Sequence, residues 1–403
     1  MAPSDRSVFT HAFVLGMIFT LAVPLVYAGQ AAAPADLQWV KVDDQRLQWI
    51  NVAAWEPRGD GVQPVRVPKN WRDKWPQQTA RRALSAAGVT LRFRTDSKKV
   101  VFRATLIDTP DRGESPEVAW ERARPPYFDV YRDGQFVASV PGAIKPDRQD
   151  VLLYDAPDAP ARNSEFTILL PFYYRNAEII VNGIGVDATA TLSAAAPDRR
   201  PRVLIHGDSI THGHGVFTPR ETYVWQTCEK AGCIPLNLGF GGSAWGDKIV
   251  ADFIASRNDW DVLVIAIGTN SFGGNYQDKP ETAAQYGEKY NTFLATIRET
   301  FPTKPIVAMT PIFNRADHVG DKNRNGETPQ DYRNAIAKVV RQRQAGDRNL
   351  YFVDGLQAFN DPLYLLPTDV VHPNVAGSLK MADTLAAALK PVLGGVGSQS
   401  AAK

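Results

Sequence analysis

Cysteine is almost missing from this chain: Cys228 and Cys233 are the only two among 403 residues. C-x4-C with no second pair is a poor zinc pattern, and the chain is long enough to bury a core without staples. Across CEKAGC the two sulfurs have two outcomes, a bridge or a pair of reduced buried thiols. Net charge is also scarce. Forty-five basic residues face 43 acidic ones, a balance of +2, which argues against nucleic acid or an anionic surface as the main partner. No Gly-Lys-Ser/Thr loop is present, and Gly207, Gly213 and Gly215 do not make the dinucleotide spacing, so no nucleotide cofactor is expected. Charge is absent altogether from Ser7 to Ala35. That stretch follows Arg6, is broken by Pro24 and is too short to span a bilayer comfortably. Val26-Tyr27-Ala28 fits a signal-peptidase site, so residues 1–28 read as a signal peptide, with an uncleaved anchor as the alternative. A secreted or periplasmic protein is expected, with no stable membrane partner after cleavage.

What remains has an ordinary globular balance, 44% hydrophobic and 22% charged. It divides by rhythm. Residues 37–192 read as short alternating strands. GVTLRFRTDSKKVVFRATLID is two runs about a polar turn, with Val89, Leu91 and Phe93 on one face. YFDVYRDGQFVASV is a second hairpin, about Asp133-Gly134, and Asn182-Gly183 is another turn candidate. NWRDKWPQQTARRALSAAG interrupts the strands with one short helix. Such alternation predicts antiparallel sheets packed as a β-sandwich. The small, proline-bearing segment 193–201 reads as a linker.

From residue 202 to 392 strands alternate with helices: RVLIHG, IPLNLG, DVLVIAIG, PIVAMTPIF and LYFVDG are separated by amphipathic stretches. One helix ends on Gly232, one occupies Ala244 to Ser256, and one is capped by Thr328-Pro329 with Asp331 in its first turn. A closing helix is expected from Asn374 to Leu389, and residues 393–403 as a flexible tail. Five strands in this rhythm predict an α/β, doubly wound (flavodoxin-like) parallel sheet, with ligands at the carboxyl ends of the strands.

Those ends carry the chemistry. Ser209 follows a strand and precedes a glycine-rich turn, which lifts a hydroxyl clear of the sheet. His372 lies in TDVVHPN with Asp369 three residues earlier, close enough to fix the imidazole tautomer. The backbone amides of Ser209 and Gly242 and the side-chain amide of Asn270 are candidate oxyanion donors. GDSIT at 207–211, NLGFGGSA at 237–244, GTN at 268–270 and DVVH at 369–372 together resemble the four ordered blocks of the SGNH, or GDSL-type, hydrolases. That resemblance implies Ser209 as nucleophile, His372 as base, Asp369 as its partner, and Ser209, Gly242 and Asn270 as the oxyanion hole. Gly241 is the alternative to Gly242; the spacing from Asn237 favours Gly242. The third block usually ends in Asp, where this chain has Ser271. The front half resembles the jelly-roll domain that precedes the catalytic domain in two-domain SGNH carbohydrate esterases and some acyltransferases.

Other residues have plainer readings. His212 and His214 have the look of metal ligands, but no matching carboxylate or cysteine cluster stands out, and no metal or other cofactor is expected. His206 reads as a packed, hydrogen-bonded residue. DKNRNGETPQDY imitates a calcium loop but places Tyr332 twelfth, so it reads as a polar loop leading into a capped helix. Trp39, Trp49, Trp55, Trp71, Trp75 and Trp120 read mostly as core or interface residues. The resemblance implies an exported serine esterase acting on short acyl, foremost acetyl, esters of a carbohydrate. The same site would also serve an acyltransferase or a longer-chain esterase, and a catalytically inactive carbohydrate-binding protein is the reading of another class.

Overall fold

The structure is a computed structural model that describes residues 36–108, 124–172, 177–274, 281–369 and 371–400. The signal-peptide reading and Trp120 fall outside these residues. Among the described residues no helix is long and apolar enough to cross a membrane.

The front half holds β1 (Leu37–Val40), β2 (Gln48–Ile50), β3 (Ala54–Arg58), β4 (Gly61–Val65), α1 (Lys69–Arg72), α2 (Gln77–Arg82), β5 (Thr90–Thr95) and β6 (Lys99–Asp108). It continues with β7 (Tyr127–Arg132), β8 (Gln135–Pro141), β9 (Lys145–Asp155), β10 (Ser164–Leu169), β11 (Ala177–Asp187) and β12 (Leu192–Ser193). One antiparallel sheet runs β3-β4-β11-β6-β9 with β1 on β11, and the other runs β12-β5-β10-β7-β8 with β2 on β5. Val89, Leu91 and Phe93 are buried between them, with Phe102, Phe128, Phe166 and Ile168. Alternation therefore does the work expected of it: one face of each strand fills the sandwich.

Three local expectations change. β5 and β6 are not a hairpin; the polar TDSK corner hands the chain from one sheet to the other. Either arrangement buries one face of each run, so the period alone does not choose. Asn182-Gly183 is not a turn but a bulge inside β11, where the register against β6 shifts between Val181 and Gly183. The interruption holds two short helices, α1 and α2, rather than one. Asp133-Gly134 does turn β7 into β8, with φ of 50° and 77°.

The second half holds β13 (Arg202–Gly207), α3 (Ser209–His212), α4 (Tyr223–Ala231), β14 (Ile234–Gly239), α5 (Lys248–Ser256), β15 (Val262–Ala266) and α6 (Thr269–Gly273). After them come α7 (Ala283–Thr300), β16 (Ile306–Met309), α8 (Arg315–Val319), α9 (Pro329–Gln344), β17 (Leu350–Val353) and α10 (Val375–Ser400). The five strands form one parallel sheet in the order β14-β13-β15-β16-β17. Thr328 and Asp331 form a capping box on α9, and left-handed Gly232 closes α4. The helix expected from Ala244 begins only at Lys248, because Ala244 has φ of 65° and Gly246 of 78°. The closing helix runs on to Ser400, past the expected end at Leu389, and Val392 and Leu393 are both buried. The apolar side chains there continue the helix's packing, so Leu393 is core and not tail.

The two halves share a core. Ile50, Val67, Trp75 and Ala83 join a cluster with Leu236, Leu238, Phe240 and Phe253 of the parallel sheet and its helices. Trp75 packs edge-on against Phe240 and Phe253 at 5.4 and 5.5 Å, and Trp71 against Phe253 at 5.6 Å.

Candidate active site

β13 ends where backbone comes close to backbone. A Cβ on Gly207 would overlap Thr211 Oγ1 and meet the Ala266 carbonyl, so the strand stops on the one residue that fits. Asp208 then caps α3, accepting the Ile210 N–H at 2.9 Å. Burial pushes the Asp208 carboxyl up to about 6. Ser209 opens the helix, 5% exposed.

The histidine arrives on a loop that bonds to itself. Leu366 N–H donates to His372 O at 2.8 Å, and Asn374 Nδ2 donates to the carbonyls of Leu363 and Leu365 at 2.8 and 3.1 Å. His372 Nε2 lies 2.7 Å from Ser209 Oγ, and its Nδ1 lies 2.6 Å from Asp369 Oδ2. Asp369 Oδ1 accepts the backbone N–H groups of Val371 and His372 at 2.9 and 3.1 Å. Burial opposes ionisation of Asp369, but the hydrogen bonds from His214 and His372 outweigh it and hold the carboxyl well below the usual carboxylate range. Its anion then favours a proton on His372 Nδ1, which leaves Nε2 to accept from serine.

The second block is tied directly to the first. Asn237 Nδ2 donates to Thr211 O at 2.8 Å, and Asn237 Oδ1 accepts the Gly239 N–H at 2.7 Å. A tight turn follows, Ser243 N–H to Phe240 O at 3.1 Å, with Gly242 at φ 65°. Asn270, at the start of α6, donates from Nδ2 to Ser243 O at 2.6 Å. Among the described residues no acceptor meets the backbone N–H of Ser209 or of Gly242. Gly241 N–H, by contrast, donates to His212 Nδ1 at 3.2 Å, which separates the two glycines the sequence left as rivals. In-register pairing of Gly207 with Gly239 and with Ala266 brings Ser209, the Gly242 turn and Asn270 to one edge of the sheet.

Two histidines acquire roles that their sequence spacing did not indicate. His214 is buried with Nε2 3.4 Å from Asp369 Oδ2, and its ring centroid is 3.7 Å from that of His372. A Cβ on Gly215 would overlap Pro373 O, so the HGHG stretch packs directly on the histidine loop. His212 is held neutral by burial and by the charges of Arg66 and Arg82, which suits its place as acceptor from Gly241. His206 is packed as expected, stacked on Phe293 with Nδ1 3.0 Å from Leu238 O. In the 321–332 loop Asn323 Oδ1 accepts the N–H groups of Asn325 and Glu327, and the Glu327 carboxylate accepts the N–H of Ala283. His214, Asp369 and His372 are the one set of groups, among the described residues, with metal-ligand spacing, their ligand atoms within 4.8 Å of one another. In this arrangement Asp369 Oδ2 faces His372 Nδ1 and His214 Nε2, and the other nitrogen of His372 faces Ser209.

The second domain is GDSL-like: residues 205–379 match the GDSL-like lipase/acylhydrolase family. No curated protein sequence matches the chain. Among solved structures, a salicylyl-acyltransferase from a tetracycline biosynthetic pathway superimposes with a TM-score of 0.75 at 23% identity, over 90% of this chain and 99% of its own. A family two carbohydrate esterase from Cellvibrio japonicus gives 0.61 at 16%, over 89% and 98%. An acetyl xylan esterase from the rumen bacterium Butyrivibrio proteoclasticus gives 0.58 at 12%, over 89% and 99%. At these identities the likeness establishes a common two-domain fold. The relay and the amide-lined turn both lie on the GDSL-like domain.

Proposed function

We propose that this chain is an exported serine esterase that removes short acyl groups, foremost acetyl, from a carbohydrate. The observation that carries the reading is the continuous Ser209–His372–Asp369 relay, at 2.7 and 2.6 Å, beside two N–H groups without acceptors among the described residues. Ser209 Oγ attacks the ester carbonyl while its proton passes to His372 Nε2. The oxyanion accepts from Ser209 N–H, Gly242 N–H and the Asn270 amide, where losing one donor typically slows turnover by about 100- to 1000-fold. His372 protonates the departing sugar oxygen, then takes a proton from water, which attacks the acyl-serine and frees the acid. Asp369 holds the tautomer and balances the transient imidazolium. The sugar and acetyl assignments draw support from the two carbohydrate esterases of like fold.

Acetate release from a panel of acetylated polysaccharides, wild type against Ser209→Ala, tests the reading. Release by wild type and its loss in the variant are expected; equal release by both would remove serine catalysis. Transfer of the acyl group to an alcohol is a second reading, favoured by the larger overlap with the salicylyl-acyltransferase. Product analysis with acceptor sugars separates it from hydrolysis.

A further inference from the structure

The front domain reaches the GDSL-like domain's catalytic edge through its arginines. Arg66 is fully buried and donates from Nη1 to the carbonyls of Asn237 and Gly239 at 3.2 and 3.0 Å. Its Nη2 donates to Arg82 O at 2.8 Å and its Nε to Ser85 O at 2.7 Å. Asn51 Nδ2 adds a third bond to that backbone, to Asn237 O at 3.1 Å. Arg82, at the end of α2 and 2% exposed, donates from Nε to Gly241 O at 3.2 Å. Front-domain side chains therefore bond to the backbone of every second residue from Asn237 to Gly241, up to the peptide that presents Gly242.

That last peptide is the one with freedom to turn. Phe240 to Ser243 is a β-turn closed by Ser243 N–H to Phe240 O, with Gly242 at φ 65° and Gly241 outside the positive region. These are the marks of a type II turn. Type I and type II turns differ by a rotation of the middle peptide, here Gly241–Gly242, and glycine at both positions removes the Cβ atoms that would choose between them. In a trans peptide the N–H of residue 242 points opposite to the carbonyl of residue 241. Whatever holds the Gly241 oxygen therefore aims the Gly242 N–H.

We propose that Arg82 is a positioning residue for acyl transfer at Ser209: its bond to Gly241 O holds the Gly241–Gly242 peptide with the Gly242 N–H turned toward the oxyanion. The assignment rests on the esterase reading above. It also gives the front domain a part in the chemistry, because the guanidinium comes from 159 residues away in the chain, across the domain boundary. His212 Nδ1 on the Gly241 N–H secures the preceding peptide, the Ser243 N–H to Phe240 O bond secures the following one, and Arg82 secures the one between.

The test compares wild type, Arg82→Met, Arg82→Lys and Arg82→Ala on p-nitrophenyl acetate, with thermal melting as the check on folding. In Arg82→Met, kcat is expected to fall about 10- to 100-fold with KM within about threefold, below the usual loss for an oxyanion donor because the peptide still samples the productive orientation. Affinity for phenylboronic acid, which forms a tetrahedral adduct on serine, is expected to fall by the same factor. Added guanidinium ion is expected to restore Arg82→Ala, and Arg82→Lys to lie between Met and wild type. Unchanged kcat and boronate affinity in folded Arg82→Met would overturn the assignment. If Met and Ala fail to fold, Lys carries the same comparison. Crystal structures of the variants test the orientation independently of activity: a Gly241–Gly242 plane unmoved in Arg82→Met or Arg82→Lys would also overturn it. Loss of cleavage in Ser209→Ala alone would retire the arginine's role and leave the esterase standing. No cleavage by wild type would retire the esterase and leave the peptide orientation to be read from the crystals.

Discussion

Replacing Asp369 with asparagine keeps the shape of the side chain and removes its charge, and the hydrogen bonds around it decide which way the new amide must face. Oδ1 accepts two backbone N–H groups, from Val371 and His372, which cannot move without breaking the loop. The amide oxygen stays there, so the NH2 group faces His372 Nδ1, where Oδ2 now accepts at 2.6 Å. Two donors then oppose each other unless the imidazole gives up its Nδ1 proton. Its proton moves to Nε2, and the ring can no longer receive one from Ser209. The lost attraction between carboxylate and imidazolium adds to this. At about 3 Å it is about 1 kcal/mol at the dielectric constant of water and about 5 kcal/mol at an effective value of 20. Asp369 is 29% exposed, which puts it between those limits. A loss of about two to four decades in kcat is expected at pH 7, since about 1.4 kcal/mol corresponds to a decade. Burst-phase kinetics with an activated acetyl ester, against a titrated concentration of reactive Ser209, separates slow acylation from a smaller active fraction. A kcat within threefold of wild type in Asp369→Asn, with His372→Ala inactive, would refute the idea that the carboxylate sets the tautomer.

Three further outcomes follow from the packing around this edge. Burial depresses the His206 imidazole from 6.5 to about 4, so its contribution to stability is fully present above pH 6.5 and is lost as pH falls toward 4, about 3 kcal/mol in all. His206→Asn lacks that titration, and its deficit in urea unfolding against wild type is expected to shrink on acidification; parallel curves would contradict this. A methyl group on Gly239 would overlap the backbone nitrogen of His212, so Gly239→Ala is expected to lose about 3 kcal/mol and most of its activity, read by melting and by turnover. Cys228 and Cys233 are buried free thiols, the former pushed up by burial. Thiol reagent is expected to find none in the native protein and two after denaturation without reductant; zero in both would show a bridge.

Much of this was legible because the signals are local. A strand run followed by Gly-Asp-Ser, a glycine after a helix and a Thr-Pro-x-Asp cap each state their geometry within a few residues, and β13, α4 and α9 follow. The four blocks also pointed to Ser209, Gly242, Asn270, Asp369 and His372, which the sheet brings to a single edge. Pairing between sheets was not legible, since β5 and β6 satisfy their period whether they pair or face each other. The roles of His214 and His212 escaped for a related reason. Histidine spacing suggested metal, but their partners, Asp369 and Gly241, lie 155 and 29 residues away. For Arg82 there was no signal at all: TARR is an ordinary helix end until the domains are docked.

The docking ties the sandwich to one edge of the doubly wound sheet. A parallel sheet places residues at its carboxyl edge but leaves the loops there to find their own shape, and a Gly-Gly turn has little shape of its own. His212 and Asn270 hold its two ends from within the GDSL-like domain, and the front domain supplies the donor to the Gly241 carbonyl between them. Arg66, Arg82 and Asn51 approach through the packed interface seeded by Trp75, Phe240 and Phe253. The interface excludes water from the bonds that hold the turn, and each bond is stronger for it. The front domain is then structural support for a single peptide plane, and loosening the tryptophan contact should weaken the oxyanion donors without moving the relay.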